Sequence, residues 1–420
     1  MRFLDWESAM KKIFQNKKRF TSVLLFSLIA VSFSASETGN PSESVKLTYN
    51  GGRNYTLVER TDLRRYDNGK YVGLVSREVR SFINGSPAPQ NAPKGTTFYE
   101  GSFYVQEDTR RAMKNVADGL HDSIPAVFSI TPNGNLMMIE DNGYPSFRSF
   151  PAFCAQDVRV NDKWQSKAER SVDPLNKGIP TRLPMFVEYT YLGDGVRGGE
   201  EVFVLRADWA TRYSLKEMDP AGDVDLKAAF GKHSATMHIS KATGYALVVR
   251  DSVDETFVYA DGKQVAFKGT ISLFTEYPPS VDHEKIEPVI NRIKAARDDV
   301  KVEETTAGIR LTMQNLKFKP NEAKLLPGEE KRLDSIAELL RQVPGSQFLV
   351  EGHTASTGNE RAEQNLSEER AREIAFELAK RGIAADRFIV KGSGSRKPVA
   401  DNSTPEGKAH NRRVEITILE

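Results

Sequence analysis

Residues 351–374, EGHTASTGNERAEQNLSEERAREI, carry the reading on which the fold of this 420-residue chain turns. Just before them, QFLVEG (347–352) reads as a strand. Just after, Ala371, Ile374, Ala375 and Leu378 recur at the spacing of one helix face. Ser367 is the predicted N-cap, with Glu368 and Glu369 in a first turn where the helix dipole favours anions. Gly382 is the predicted glycine at C′. Arg370 then falls in that first turn, beside a loop whose centre, Thr354-Ala355-Ser356-Thr357-Gly358, is uncharged. The pattern offers a cation for one end of a zwitterion and leaves open what holds the other.

Working outward, GIRLTM (308–313) is a strand with Ile309, Leu311 and Met313 on one face. Pro327 to Gln342 predicts a helix through Leu333, Ile336, Ala337 and Leu340, and RFIVKG and RRVEITIL supply two further strands. The order is β-α-β-α-β-β, an α+β domain with helices covering one face of a sheet.

The pieces LKFKPNEAKLLP, VEGHTASTGN, NLSEERA, RGIAADRFIVKGSGSRKPVADN and GKAHNRRVEI follow one another across residues 307–420. In this order and spacing they resemble the OmpA-like C-terminal domain of bacterial envelope proteins. That resemblance implies a domain that docks non-covalently on the peptide stems of peptidoglycan, with a loop aspartate and a helix arginine binding the ammonium and carboxylate of diaminopimelate. The arginine falls on Arg370 and the aspartate on Ala355. The family's usual asparagine falls on Glu363, and the aspartate after the first motif's phenylalanine falls on Lys319. Thr354, Gly358, Leu366, Ser367, Arg370 and Asn411-Arg412-Arg413 are retained. Lys319, Thr354, Ala355, Glu363, Arg370 and Arg412 are therefore the candidate ligand-binding positions. A hydrogen bond to a charged group contributes about 1.5–3 kcal/mol, so a missing aspartate weakens binding roughly ten- to hundredfold. Glu363 either replaces the lost anion or pairs with Arg370 and closes the site.

Toward the N-terminus the pattern changes. MKKIFQNKKRF is basic, Val23 to Val31 is apolar, and small residues follow to Ala35, the layout of a secretory signal over residues 1–35. The apolar run is shorter than the ~20 residues a spanning helix needs. The chain has one cysteine, Cys154, which reads as a small buried apolar side chain; none follows the apolar run to take a lipid. Residues 45–155 and 156–280 alternate as strands with turns such as DNG and NG, predicting two β-rich modules. Within the first, Thr109 to Leu120 reads as a helix. Transmembrane strands alternate in the same way, but VSREVRSF and VVRDSVDETFVY would turn charge toward lipid, which favours a soluble domain. Residues 281–302 predict a helical connector with Ile286, Val289, Ile290 and Ile293 along one face.

Charge and motif exclude several functions. Lys and Arg total 59 against 57 Asp and Glu, interleaved, so no basic stripe points to nucleic acid. GDGVRG (193–198) matches a phosphate-loop pattern but joins two strands and so reads as a hairpin turn. His233 and His238 fall on opposite faces of a strand, and DPAGDVDLK (219–227) lacks a full calcium loop, so neither a metal nor another cofactor is expected. His353 and His410 read as structural or surface groups. No nucleophile, base and orienting group fall together, and no catalytic residue is assigned. The expectation is a non-catalytic protein of the periplasm or outer membrane, associated with membrane indirectly. It would link peptidoglycan to other envelope proteins, with diaminopimelate recognition lost or altered. Two alternatives stand beside it: ordinary peptidoglycan anchoring through Arg370 and Glu363, or a β-rich half that is an enzyme or a carrier of an apolar ligand.

Overall fold

A computed structural model describes residues 44–419, except 53, 112–113, 118–123, 215, 217, 278–282, 297–299, 306, 315, 317 and 320–322. The expected signal segment lies outside the described residues. The larger part is one 13-stranded antiparallel sheet. Its first seven strands are β1 (Tyr55–Asp67), β2 (Lys70–Ser86), β3 (Thr97–Arg111), β4 (Lys114–Ala117), β5 (Ile124–Ile130), β6 (Leu136–Glu140) and β7 (Phe147–Arg148). The others are β8 (Lys163–Val172), β9 (Thr181–Arg197), β10 (Glu200–Tyr213), β11 (Leu226–Ser240), β12 (Ala246–Tyr259) and β13 (Gln264–Glu276). Their spatial order is β6-β5-β3-β2-β1-β13-β12-β11-β10-β9-β8-β7, with β4 paired to β3.

The seam is the pairing of β1 with β13, with Leu63 opposite Gly269. It joins the two expected modules into a single sheet, and the boundary expected near residue 156 falls between β7 and β8, neighbours in that sheet. The edge strands β6 and β7 are joined through residues 141–146. The Leu136 N–H donates to Ser149 Oγ at 3.0 Å across the gap, so the sheet curls into a near-closed shell. Tight turns allow the meander: Asn68 and Gly69 both take positive φ between β1 and β2, and Gly198 and Gly199 do so between β9 and β10. GDGVRG is thus the end of a hairpin arm, and the turn falls on its last residue, Gly198, and the next, Gly199. The segment 109–120 is not the helix its amphipathic pattern predicts. Where described it is strand, because the β2–β3 ladder continues to Leu74 opposite Arg110.

Alternation fills the shell. On β9, Leu183, Met185, Val187, Tyr189 and Tyr191 face inward and are buried, as are Leu205, Ala207 and Trp209 on β10. Tyrosines close one end: Tyr99 Oη lies 2.7 Å from Tyr49 Oη and 2.5 Å from Tyr245 Oη. The outer face is ionic at mid-strand, with Arg60–Glu78 at 2.9 Å, Lys163–Glu188 at 2.8 Å and Lys268–Asp254 at 3.1 Å. Each such cation at a bilayer midplane would cost about 2–4 kcal/mol, so this is not a face that lipid accepts.

The C-terminal part contains α1 (His283–Ala296), β14 (Val300–Thr305), β15 (Gly308–Gln314), α2 (Glu330–Arg341), β16 (Phe348–Gly352), α3 (Glu360–Lys380), β17 (Phe388–Gly392), α4 (Pro405–Asn411) and β18 (Arg413–Leu419). Its sheet order is β14-β15-β18-β16-β17, with β16 and β17 parallel. The expected connector is α1, and its stripe of Ile286, Val289 and Ile293 is buried in this domain's core. From Val300 the chain turns to strand, and β14 adds an edge that the sequence pattern does not announce. Helices cover one face of the sheet. The other face meets the shell through Leu349, Ile389 and Leu419 against Phe82 and Tyr104, and Arg80 donates to the Asp386 carbonyl at 2.7 Å.

Candidate functional site

Thr354 and Ala355 follow the end of β16, and Thr354 and Glu363 bond to the loop after β17 through Gly394 and Ser395. α3 starts at Asn359, not at Ser367: Asn359 Oδ1 accepts from the Ala362 N–H at 3.1 Å. Glu363 reciprocates by accepting from the Asn359 N–H at 3.3 Å, the logic of a capping box shifted by one residue. Ser367 is fully buried inside the helix. Its hydroxyl donates to the Gln364 carbonyl at 2.7 Å and accepts from the Gly394 N–H at 2.9 Å, tying the helix to the loop after β17. Two local caps compete in this sequence, and the earlier one wins because Glu363 completes it. Arg370 is consequently about three turns into the helix.

The loop after β16 is laced to its neighbours. The Thr354 N–H donates to the Gly394 carbonyl at 2.9 Å, and the Ser356 N–H donates to Asn402 Oδ1 at 3.1 Å. Asn411 braces the far side, its Oδ1 accepting from the Val399 and Ala400 N–H groups and its Nδ2 donating to Asn402 Oδ1 at 3.0 Å. In this frame Ala355 is buried, and Thr354 Oγ1 is buried without a partner among the described residues. Asn402 and Phe318 were not candidates from sequence; Asn402 sits in an ordinary polar turn, DNSTP, with nothing local to mark it.

Arg370 lies with its guanidinium 4.8 Å from the centre of the Phe318 ring. Its Nε is buried without a hydrogen-bond partner, and among the described residues the side chain has no carboxylate opposite it. Burial, then the charge of Arg412, pulls its pKa down from the usual guanidinium value. Arg412 itself is exposed at the C-terminal end of α4, and Lys319 is exposed beside Phe318. Arg370 and Arg412 thus stand close enough to repel each other, and the Arg370 Nε–H has no acceptor among the described residues.

Glu363 does not pair with Arg370 among the described residues but is held by neutral donors. Its carboxylate accepts from the Thr357 N–H, from Thr357 Oγ1 at 2.8 Å, from the Asn359 N–H and from Ser395 Oγ. Burial alone would raise its pKa, but the Ser395 and Thr357 donors outweigh it and hold the carboxyl at about 2. The folded pKa is depressed, so the contribution is present above the ordinary value of 4.5 and lost as pH falls toward 2. Amide exchange at Thr357 and Asn359 is expected to accelerate over that window in the wild type and to be fast already at neutral pH in Glu363→Ala. Equal protection of the two proteins at pH 7 would refute this anchoring role.

A second cluster lies deeper. Glu351, His353 and Glu415 bring potential ligand atoms within 4.8 Å of one another, all buried. The carboxylates are already engaged by cations. Lys397 Nζ is 2.9 Å and Lys391 Nζ 3.8 Å from Glu351, and Arg413 is 2.7 Å and Arg310 3.5 Å from Glu415. Burial and then Arg413 push His353 down to about 3, a neutral ring among four cations. A divalent ion would add positive charge where it is already in excess. Asp219 is likewise committed, to Arg182 at 2.6 Å, and Asp223 to Lys177 at 2.8 Å, so DPAGDVDLK is a salt-bridged turn.

Inside the shell His233 is buried, with Nδ1 2.7 Å from Asp251, Nε2 3.4 Å from Glu255 and its ring stacked 4.5 Å from Trp209. His238 is on the opposite face, as its spacing predicts. Glu255 also accepts from Thr211 Oγ1 at 2.6 Å and pairs with Arg170 at 2.8 Å. Burial raises the Glu255 pKa, but Arg170 and then His233 overcome it and set it at about 2. The histidine is held between its two acids through Asp251 Oδ2 and Glu255 Oε1, while Asp251 Oδ1 is buried with no partner among the described residues. Cys154 is half-buried against the shell core rather than fully enclosed.

Residues 317–412 match the family model described as the OmpA family, and this part of the chain is an OmpA family domain. The peptidoglycan-binding protein ArfA of Mycobacterium tuberculosis is 41% identical over 96 residues, which are 23% of this chain and 29% of that protein. The probable lipoprotein YiaD of Escherichia coli K12 is 40% identical over 104 residues, 25% of this chain and 48% of that protein. Among solved structures, an outer membrane protein from Borrelia burgdorferi B31 shows 39% identity, covering 29% of this chain and 97% of that one, with a TM-score of 0.25. The chain thus spans about half or less of the curated relatives ArfA and YiaD.

Proposed function

We propose that this is an exported, non-catalytic cell-envelope protein whose OmpA family domain keeps the carboxylate half of its ligand site and has lost the ammonium half. Its role is to link the peptidoglycan layer to other envelope components. One observation carries the reading: the half-buried Arg370 keeps an Nε–H with no acceptor among the described residues, while the loop position of the family aspartate is the buried methyl of Ala355 and the carboxylate of Glu363 is already taken by four donors. A ligand ammonium placed there would lose water and find no anion in return. The ionic outer face of the shell supports residence in water beside a membrane rather than within it. Ordinary anchoring through Glu363 would require breaking its bonds to Thr357, Asn359 and Ser395, which counts against it.

Co-sedimentation of the full chain with purified diaminopimelate-containing sacculi tests this. Ala355→Asp is expected to raise affinity ten- to hundredfold, the worth of one charged hydrogen bond, and Arg370→Ala in that background is expected to remove the gain. If the unaltered protein binds as tightly as Ala355→Asp, and Arg370→Ala abolishes that binding, the ammonium half is intact and the proposal fails.

A further inference from the structure

The shell is filled by tyrosines at one end but not at the other. A cavity of about 520 Å³ opens there, within the range of small-molecule sites. Its wall is apolar on several strands at once: Leu63 from β1, Val75 from β2, Val105 from β3, Phe257 from β12 and Phe267 from β13. Its rim reaches the surface at Asn142, Asn176 and Lys177.

Most charged groups on this wall are already committed. Arg170 pairs with Glu255, Arg65 with Asp67 at 2.7 Å, and Lys177 with Asp223. Glu59 accepts from Ser146 Oγ, and Asp173 from the N–H groups of Lys177, Gly178 and Ile179. Arg77 differs. It lies opposite Thr61 on β1, lines the cavity, and sets its guanidinium 6.0 Å from the Tyr144 ring. Its Nε–H is buried with no acceptor among the described residues. A buried donor without an acceptor is costly, and an oxygen brought in by a ligand removes that cost.

We propose that this cavity binds a single-chain acyl amphiphile, with the chain against Leu63, Val75, Phe257 and Phe267 and a head-group carbonyl or carboxylate oxygen on Arg77 Nε–H. This goes beyond the envelope-linking role and uses no residue of the C-terminal site. It assigns to the β-rich half a ligand of its own, drawn from free fatty acid or from a monoacyl lipid; both carry the same acyl oxygen.

Titration calorimetry on the full chain tests it, each amphiphile being kept below its micelle-forming concentration. Dodecanoate and 1-dodecanoylglycerol are expected to saturate one site. Dodecyltrimethylammonium, which has the chain but no acceptor, is expected to bind at least tenfold more weakly. Dodecanoate binding with none by dodecanoylglycerol identifies free fatty acid as the source, and the converse identifies monoacyl lipid. In Arg77→Met, which keeps the aliphatic stem, the preference for the acyl heads over the ammonium head is expected to collapse to within about twofold. In Val75→Phe, which fills the cavity, all three are expected to weaken. The proposal is overturned if neither acyl compound saturates, if the wild type binds all three alike, or if Val75→Phe leaves binding unchanged. The head-group comparison needs only the wild type, so it stands even where a variant fails to fold.

Discussion

Arg170→Met is expected to cost the shell about 3–5 kcal/mol, because it strands a buried carboxylate without its charge partner. Glu255 is 2% exposed and Arg170 12%, with 2.8 Å between them. Thr211 and His233 remain as neighbours, but neither replaces a guanidinium. The loss should depend on pH in a definite direction. The folded pKa of Glu255 is depressed to about 2, so its stabilising contribution is present above 4.5 and lost as pH falls toward 2. Without Arg170 the carboxyl rises and protonates more easily, so the gap between variant and wild type narrows as pH drops below 4.5. Denaturant unfolding followed by tryptophan fluorescence reads the shell, since Trp164 and Trp209 both lie in its strands. Removing both charges in Arg170→Met/Glu255→Leu is expected to recover much of the loss. A shift below about 1 kcal/mol for Arg170→Met alone would show that the pair is not needed for the fold.

That ion pair illustrates which parts of this protein its sequence reveals. Period-two alternation puts His233 and His238 on opposite faces of a strand, but the meeting of His233 and Glu255 with Arg170 depends on three strands finding their register. Nothing local encodes the β1–β13 seam either, in which residues 56–67 pair with residues 265–276. Without that seam the strands read as two modules. The OmpA domain was legible because its signals are local. Gly382, for example, ends α3 with φ +92°, its N–H donating to Ala379 while that of Ile383 reaches Leu378 at 3.4 Å. Local signals failed where a partner outbid them. Residues 109–110 belong to β3 because β2 pairs with them. Ser367 makes a plausible cap until Gly394 claims its hydroxyl. At the candidate site, the alanine at position 355 could be read by matching the chain to a motif. The capture of Glu363 by Ser395, 32 residues away, could not.

Gly352→Ala is expected to destabilise the C-terminal domain by about 3 kcal/mol, the upper end of what overpacking costs, and to move Arg370 with it. Gly352 and Gly392 stand opposite each other on the parallel strands β16 and β17. α3 crosses directly above them. A Cβ on Gly352 would lie 2.0 Å from the Ser367 carbonyl oxygen, and one on Gly392 would lie 2.6 Å from Ser367 Oγ and 2.7 Å from the Glu368 N–H nitrogen. The obstacle in the first case is helix backbone, which cannot swing aside as a flexible side chain can. Relief requires α3 to lift at Ser367, breaking the bond to Gly394 and shifting Arg370 three residues further along. Unfolding followed by circular dichroism at 222 nm gives the stability loss. Binding of the Ala355→Asp form to sacculi, with and without Gly352→Ala, gives the displacement. Gly382→Ala is the comparison: no atom lies within 4 Å of its Cβ, so it should cost only about 1 kcal/mol of backbone strain and leave binding intact. If Gly352→Ala is as mild as Gly382→Ala, close contact at Ser367 is not what seats the helix. The position of Arg370 must then come from the core stripe of Ala371, Ile374 and Leu378 alone.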